Sequence, residues 1–298
     1  LHNQSQPGIV DFLARIRALT DSYGGRFSVA EVVGGAAEPE MQAFTADDRH
    51  LNSAYGFAYL YADELTPDLV QRANAAWDGR AGQGWPSWAF SNHDAPRAVS
   101  RWAADRDPDR FARVAMLLLV SLRGNVFIYQ GEELGLPQGE VPFDRLVDPE
   151  AIANWPLTLG RDGARTPMPW RAEAPHAGFS TVEPWLPLDP RHALLAVDRQ
   201  NTDDASLLNL TRRLIALREH EPALRLGALR FLAAPDGVLI FERTLGDDVL
   251  TCVFNLGHQA VNGRPDGDFV LLDSVNGGGD GAAALAPLSG WIGRRLSI

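Results

Sequence analysis

The sequence carries a single cysteine, Cys252, so no internal disulfide can form, and its seven histidines are scattered without the spacing of a zinc or Cys-x-x-Cys site. Long apolar runs are missing too. Val114 to Val120, with Leu122 beyond, falls far short of the roughly 20 residues that a membrane span needs. Positive charge is scarce: 27 Lys and Arg against 38 Asp and Glu give a net −11. That charge repels phosphate backbones and anionic lipid, which argues against nucleic acid and membrane as partners and favours a neutral one. The chain opens Leu1-His-Asn-Gln-Ser-Gln-Pro7, with no methionine and no charged-then-apolar leader, so either a removed signal or a piece of a longer protein is expected. Apolar content is ample. At 298 residues and 45% hydrophobic, the chain can bury one large or two ordinary cores, which rules out disorder as a whole.

Helix precedes strand, and the alternation repeats. Ile9, Phe12, Leu13, Ile16 and Leu19 fall at helical spacing before Tyr23-Gly24-Gly25, and Phe27 to Val32 follows as a strand. Leu51 to Tyr59 and Trp88 to Asn92 read as further strands with a helix, Thr66 to Trp77, between them. A strong helix opened by Pro108 and running Asp109 to Leu122 closes at Gly124-Asn125, before a buried strand from Val126 to Tyr129. Such alternation predicts parallel βαβ units. Residues 135–205, rich in Pro, Gly and Trp, predict a long site-building loop region. One more helix, Ser206 to His220 with Ser206 as N-cap, ends at Pro222. After Gly227 come short alternating strands at 229–233, 238–243, 249–255 and 269–272, with turn signals at Asp236-Gly237 and Gly246-Asp247. The expected division is 1–222 for the βα unit and 223–298 for a small antiparallel β domain. Gly277 to Gly281 reads as a hairpin tip rather than a phosphate loop.

Each expected parallel strand ends in polar or aromatic residues: Glu31, then Phe57, then His93-Asp94, then Gln130 with Glu132-Glu133. The steps from 31 to 57 (26), 57 to 94 (37) and 94 to 130 (36) approach the roughly 30-residue repeat of a βα unit. Carboxylates at the C-terminal ends of successive parallel strands are where a (β/α)8 barrel gathers its site, although only four such strands are visible. Glu31 lies in Phe27-Ser-Val-Ala-Glu-Val32, an apolar setting in which desolvation would hold a proton on a general acid; a strand-end glutamate paired with an arginine is the plainer alternative. Phe90-Ser-Asn-His-Asp-Ala-Pro-Arg97 packs an imidazole, a carboxylate and a guanidinium behind a buried strand. It is either a set that binds several hydroxyls or a core histidine beside a local Asp94–Arg97 ion pair. Trp85, Trp88, Trp102, Trp155, Trp170 and Trp185 lie near these elements. Their crowding into loops predicts a carbohydrate cleft, because aromatic faces pack on sugar C–H faces.

Ala30-Glu31-Val32, Phe90 to Arg97, Ile128-Tyr-Gln-Gly-Glu-Glu-Leu-Gly135, Gly160-Arg-Asp-Gly-Ala-Arg-Thr-Pro-Met-Pro-Trp170 and Ala177-Gly-Phe-Ser-Thr181 occur in one order. Together they resemble the α-glucosidase branch of the α-amylase superfamily, and the helix from Ser206 to Arg218 is similar to the last barrel helix of that branch. The resemblance runs from about residue 3 to 225. It implies retaining hydrolysis of terminal α-linked glucose in short α-glucosides such as maltose, with transglucosylation left open. By position Glu31 matches the acid/base and Asp94 the transition-state stabiliser, with His93 beside it. Phe57, Arg161 and Arg165 match pocket-lining positions. No organic cofactor and no metal are implied for this chain, and any structural cation would belong to the N-terminal half.

The departures are as informative. The family's nucleophilic aspartate follows an arginine on the fourth strand, upstream of the acid, and neither that segment nor the Asp-x-x-x-Asn-His motif before it is here. The chain therefore resembles barrel strands 5 to 8 followed by a C-terminal antiparallel β-sandwich, completed by an N-terminal segment of the same enzyme. A cytoplasmic location is expected. Two rival readings remain at this point: a sugar isomerase or glucosyltransferase of the same superfamily, and a non-catalytic, glucosidase-like interaction scaffold.

Overall fold

The structure is a computed structural model that describes residues 5–34, 37–77, 84–158, 160–263, 265–279 and 284–296. Four short strands, β1 (Val29–Glu31), β2 (Ser53–Tyr55), β3 (Pro86–Trp88) and β4 (Asn125–Val126), form a parallel sheet in chain order. Val29 lies opposite Ser53, Tyr55 opposite Ser87 and Ser87 opposite Asn125, so all four C-terminal ends emerge on one side. The strands are shorter than the apolar runs that announce them. Ala89 and Phe90 are buried beyond the last ladder bond of β3, where the chain has begun its βα loop, so apolar character outlasts strand geometry.

Helices α1 (Ile9–Asp21), α2 (Ala37–Thr45), α3 (Pro67–Asn74), α4 (Ala98–Trp102) and α5 (Pro108–Ser121) connect and cover this sheet. Thr66 caps α3 through the Leu69 amide, and Asp107 caps α5 through the amides of Asp109 and Arg110, each with proline at the first helical position. Helix α2 escapes the sequence reading because its Glu-Pro-Glu start and single buried apolar side chain, Met41, leave almost no apolar stripe. Among the described residues the 135–205 excursion holds three short α-helices, α6 (Pro149–Asn154), α7 (Pro190–Leu194) and α8 (Val197–Asn201), and three single 3-10 turns. Next, α9 (Leu207–His220), capped by Ser206, packs on α5. Arg218 of α9 reaches the end of α5, donating to the carbonyls of Val120, Leu122 and Gly124, a cation placed at the negative end of a helix. Pro222 does not simply end that run, because it opens α10 (Pro222–Leu226).

The remaining chain forms an antiparallel sheet of β5 (Ala228–Leu232), β6 (Val238–Leu245), β7 (Asp248–Asn255), β8 (Phe269–Val275) and β9 (Ser289–Arg295), ordered β5-β6-β7-β9-β8. Strand β9 was not among the strands expected from sequence, and it carries two glycines, Gly290 and Gly293. Gly290 meets a steric demand: a Cβ there would lie 2.8 Å from Phe254 Cδ1 and 2.9 Å from the Val253 carbonyl. The strands alternate. Leu239, Phe241, Leu250, Cys252 and Phe254 join one core with Phe111, Leu117 and Leu214 of the helices, whereas Val238, Ile240, Val253 and Trp291 form a second cluster with Phe269 and Leu285. The expected sandwich is thus, among the described residues, a single sheet. On its outer face Val261 and Leu285 pack against the second cluster and pair with each other through an isolated bridge. Of the glycine run, Gly277 lies in the turn after β8, and residues 280–281 fall outside the described residues. Among the described residues no helix is long and apolar enough to cross a membrane, and no three His, Cys, Asp or Glu side chains gather to hold a metal ion.

Candidate active site

The C-terminal ends of the four parallel strands line one cleft of about 350 Å³. Val29, Ala30 and Glu31 come from β1 and Tyr55 from β2. Ala89, Ser91, Asn92 and His93 follow β3, and Phe127, Ile128 and Tyr129 follow β4. Glu31 is the one carboxylate lining this cleft among the described residues. Its apolar enclosure, expected from Phe27 to Val32, is realised only at Val32, which is buried: Phe27 is 59% and Val29 43% exposed, and Glu31 itself is exposed, because β1 has no strand on its outer side among the described residues. Nor does any cation lie within ion-pair distance of Glu31 among those residues, so the arginine-paired alternative is not realised either.

Across the cleft the Asn92 amide donates to the Tyr55 hydroxyl at 3.1 Å. Burial pushes the Tyr55 phenol up to about 12, with the Asn92 hydrogen bond opposing and the charge of Glu31 adding, so Tyr55 stays a neutral donor at ordinary pH. Asn92 Oδ1 accepts the backbone amides of Asp94 (2.9 Å) and Ala95 (2.8 Å), a local turn that swings the chain sharply at the strand end and presents His93 and Asp94.

The expected Asp94–Arg97 ion pair does not form. Arg97 is only 2% exposed and turns inward, and Asp94 pairs with Arg165 Nη2 at 2.7 Å, with Arg161 Nη1 at 3.6 Å and with His93 Nε2 at 3.4 Å. The sequence-predicted His93, Asp94, Arg161 and Arg165 therefore meet in one cluster beside the cleft. Arg161 in turn grips Asp148 through Nε (2.9 Å) and Nη2 (2.6 Å). That bidentate bond holds the Asp148 carboxyl well below the usual carboxylate range, with burial opposing and the amides of Arg161 and Glu150 assisting. Phe57 stands apart. It lines a neighbouring cavity of about 420 Å³ with Val32, Met41, Trp77 and Trp88, stacks on Tyr61 at 5.7 Å and meets Tyr55 edge-on at 5.3 Å.

The tryptophan expectation is corrected. Trp88 and Trp102 are core residues, and the exposed Trp155, Trp170 and Trp185 lie elsewhere on the excursion, so no tryptophan lines the Glu31 cleft among the described residues. The rings that do are Tyr55, Phe127 and Tyr129, none of which the sequence reading singled out. Its place at the end of an expected strand was the available signal for Tyr55, the last residue of β2. Glu132, expected at a strand end, turns instead toward Phe90, Val99 and Phe111. Burial pushes its carboxyl up to about 7, against the Tyr129 amide that donates to it at 3.1 Å.

A depressed folded-state pKa means that the unfolded chain takes up the proton first. Asp148 therefore contributes stability that is complete above the ordinary aspartate value of about 4 and is lost as pH falls further. Asp148→Asn should cost about 2 kcal/mol at pH 7, discounted for the part-exposed Arg161. Denaturant midpoints of the complete enzyme should show a smaller deficit at pH 3 than at pH 7, and equal deficits would mean that the carboxylate charge is not the source.

Comparison with known proteins fits this geometry. The family described as "Alpha amylase, catalytic domain" matches residues 1–227. The chain is 39% identical over 263 residues to a probable alpha-glucosidase of Rhizobium meliloti (strain 1021), covering 88% of this chain and 48% of that protein. It is 27% identical over 288 residues to a glucan 1,6-alpha-glucosidase of Streptococcus dysgalactiae subsp. equisimilis, covering 85% and 53%. A solved alpha-glucosyl transfer enzyme, XgtA, matches at 37% identity with a TM-score of 0.88 over 98% of this chain and 55% of that one. The chain spans about half the length of the curated relatives it matches.

Proposed function

The chain belongs to the α-amylase family, and from that premise we propose that it supplies the acid/base side of a retaining α-glucosidase that removes terminal glucose from short α-glucosides such as maltose. The observation that carries this is the cleft itself, in which Glu31, Tyr55, Asn92 and His93 converge from three successive parallel strands. In this reading Glu31 protonates the leaving oxygen and then activates water. Asp94 and His93 bind hydroxyls of the glucosyl unit, and the Asp94 charge faces the oxocarbenium-like transition state. The guanidinium of Arg165, 2.7 Å away, orients that carboxylate. Residues 1–222 are read as barrel strands 5 to 8 with their helices and the 135–205 loop region, and 223–298 as the small β domain. The nucleophilic aspartate is read as lying on an N-terminal segment that completes the barrel, consistent with a chain that spans about half of its relatives.

Retention fixes the first product. Proton NMR of early turnover on maltose should show the α-anomer of the newly freed glucose before mutarotation, and the β-anomer would overturn the reading. The similarity to an alpha-glucosyl transfer enzyme favours a second reading, in which the glucosyl intermediate passes to a sugar acceptor. Product analysis on maltose and sucrose separates the two: free glucose marks hydrolysis, and new disaccharides or longer glucosides mark transfer.

A further inference from the structure

Asp94 and its partner Arg165 are 71 residues apart in sequence, and the loop that bears Asp94 and the segment that bears Arg165 meet at one side chain. That side chain is Arg97. Its Nη1 donates to the carbonyl of Gln130 at 2.6 Å, after β4, and its Nη2 to the carbonyl of Ala164 at 3.1 Å, the residue before Arg165. Its backbone amide donates to Gln138 Oε1 at 2.9 Å, and its guanidinium lies 5.3 Å from the centre of the Tyr129 ring. The Tyr129 hydroxyl donates to the same Ala164 carbonyl at 3.0 Å. Close by, Arg165 Nε donates to the His93 carbonyl at 2.8 Å, so the 93–97 and 161–165 segments are fastened at both ends.

We propose, on the reading above, that Arg97 is a positioning residue for the reaction: its forked guanidinium ties the Ala164 carbonyl to the loop after β4 and thereby sets the carboxylate of Asp94 against Arg165. It touches no reacting atom. Among the described residues no carboxylate lies within ion-pair distance of Arg97, and burial pulls its guanidinium below the usual arginine value, opposed in part by Tyr129, Glu132 and Glu133. Two carbonyls on different segments are approached by separate nitrogens of one planar group, a fixed fork that the rotatable point charge of a lysine ammonium does not reproduce. Gly131 keeps the approach open. Its φ is +87°, and a Cβ there would lie 2.9 Å from Arg97 Nη1 and 2.5 Å from Leu136 Cδ1.

The test is a double-mutant cycle between Arg97→Lys and Asp94→Asn, in the complete enzyme, with maltose and an activated aryl α-glucoside as substrates. Asp94→Asn alone should lower kcat and kcat/KM together, because its contacts strengthen in the transition state. Arg97→Lys alone should lower kcat by about 30- to 100-fold with KM nearly unchanged, since the charge stays and only the geometry loosens. In the Asp94→Asn background the same substitution should cost less than about 3-fold, because there is no carboxylate left to position. An equal loss in both backgrounds would overturn the positioning role and mark Arg97 as structural only. An Asp94→Asn enzyme as active as the wild type would instead overturn the active-site reading on which the role rests. Should Arg97→Lys fail to fold, Tyr129→Phe removes only the second donor to the Ala164 carbonyl. It should lower kcat about 3- to 10-fold and show the same non-additivity, and full additivity there would equally overturn the proposal.

Discussion

Glu31→Gln is expected to reduce hydrolysis of maltose by the complete enzyme by about 10²- to 10⁴-fold, because an amide cannot protonate the leaving oxygen. Activated aryl α-glucosides should lose far less at the step that breaks the glycosidic bond, since their leaving groups depart with little protonation. The contrast between substrates is the diagnostic, more than the size of either loss. With aryl substrates the glucosyl-enzyme should accumulate, because the same residue must activate water in the second half-reaction, and a burst of released phenol should precede slow turnover. Added azide, which needs no general base, should speed that turnover and yield a glucosyl azide. Equal losses on maltose and aryl glucosides, without a burst, would remove Glu31 from the acid/base role. Tyr55 and Asn92 should remain in place in this variant, because their mutual hydrogen bond does not involve Glu31.

Much of this arrangement was legible in the sequence, and the limits have physical causes. The periodicity that gave α9 is strong because that helix buries Leu207, Leu210 and Leu214 on one face, and the starts of α3, α5 and α9 are written in Thr66-Pro67, Asp107-Pro108 and Ser206, whereas α1 keeps its spacing although Leu13 alone is buried. Strand ends were less clear, since apolar residues continue into buried βα loops at Ala89 and Phe90. Pairings across long separations were beyond reach. Arg97 stands three residues from Asp94, so proximity in sequence suggested an ion pair, yet the guanidinium turns inward to two carbonyls and leaves Asp94 to Arg165. That outcome depends on where the 161–165 segment is folded, which no local pattern encodes. The family resemblance supplied Arg161 and Arg165 as candidates, and the geometry brings both to Asp94. The aromatic lining was misjudged for a different reason. Tryptophan was weighed by type, whereas position at the C-terminal ends of β2 and β4 selects Tyr55, Phe127 and Tyr129.

Residues 1–298 expressed alone are expected to show neither a cooperative thermal transition nor release of glucose from maltose. Co-expression with an N-terminal segment carrying the other four barrel strands should yield both. The reasoning is geometric first. Among the described residues β1 and β4 each have one ladder edge with no neighbour, and a barrel interior is filled only when side-chain layers from all eight strands meet. The exposed rings agree: Phe12 of α1 and Phe27, just before β1, are 52% and 59% exposed, a high cost in water for groups of that size. The chemistry leads to the same place. Retention requires a second carboxylate about 5 to 5.5 Å from the acid, on the other side of the scissile bond. Asp47 and Asp48 precede β2, at the end of the sheet away from Glu31, and Glu132 is turned into the helix layer, so none of the three can attack a sugar held in the cleft. Calorimetry and a glucose assay on the lone chain decide the matter. A sharp transition accompanied by turnover would refute the half-barrel reading, and it would require a nucleophile other than a carboxylate among the described residues that line the cleft, where Tyr55, Ser91 and Tyr129 carry hydroxyls.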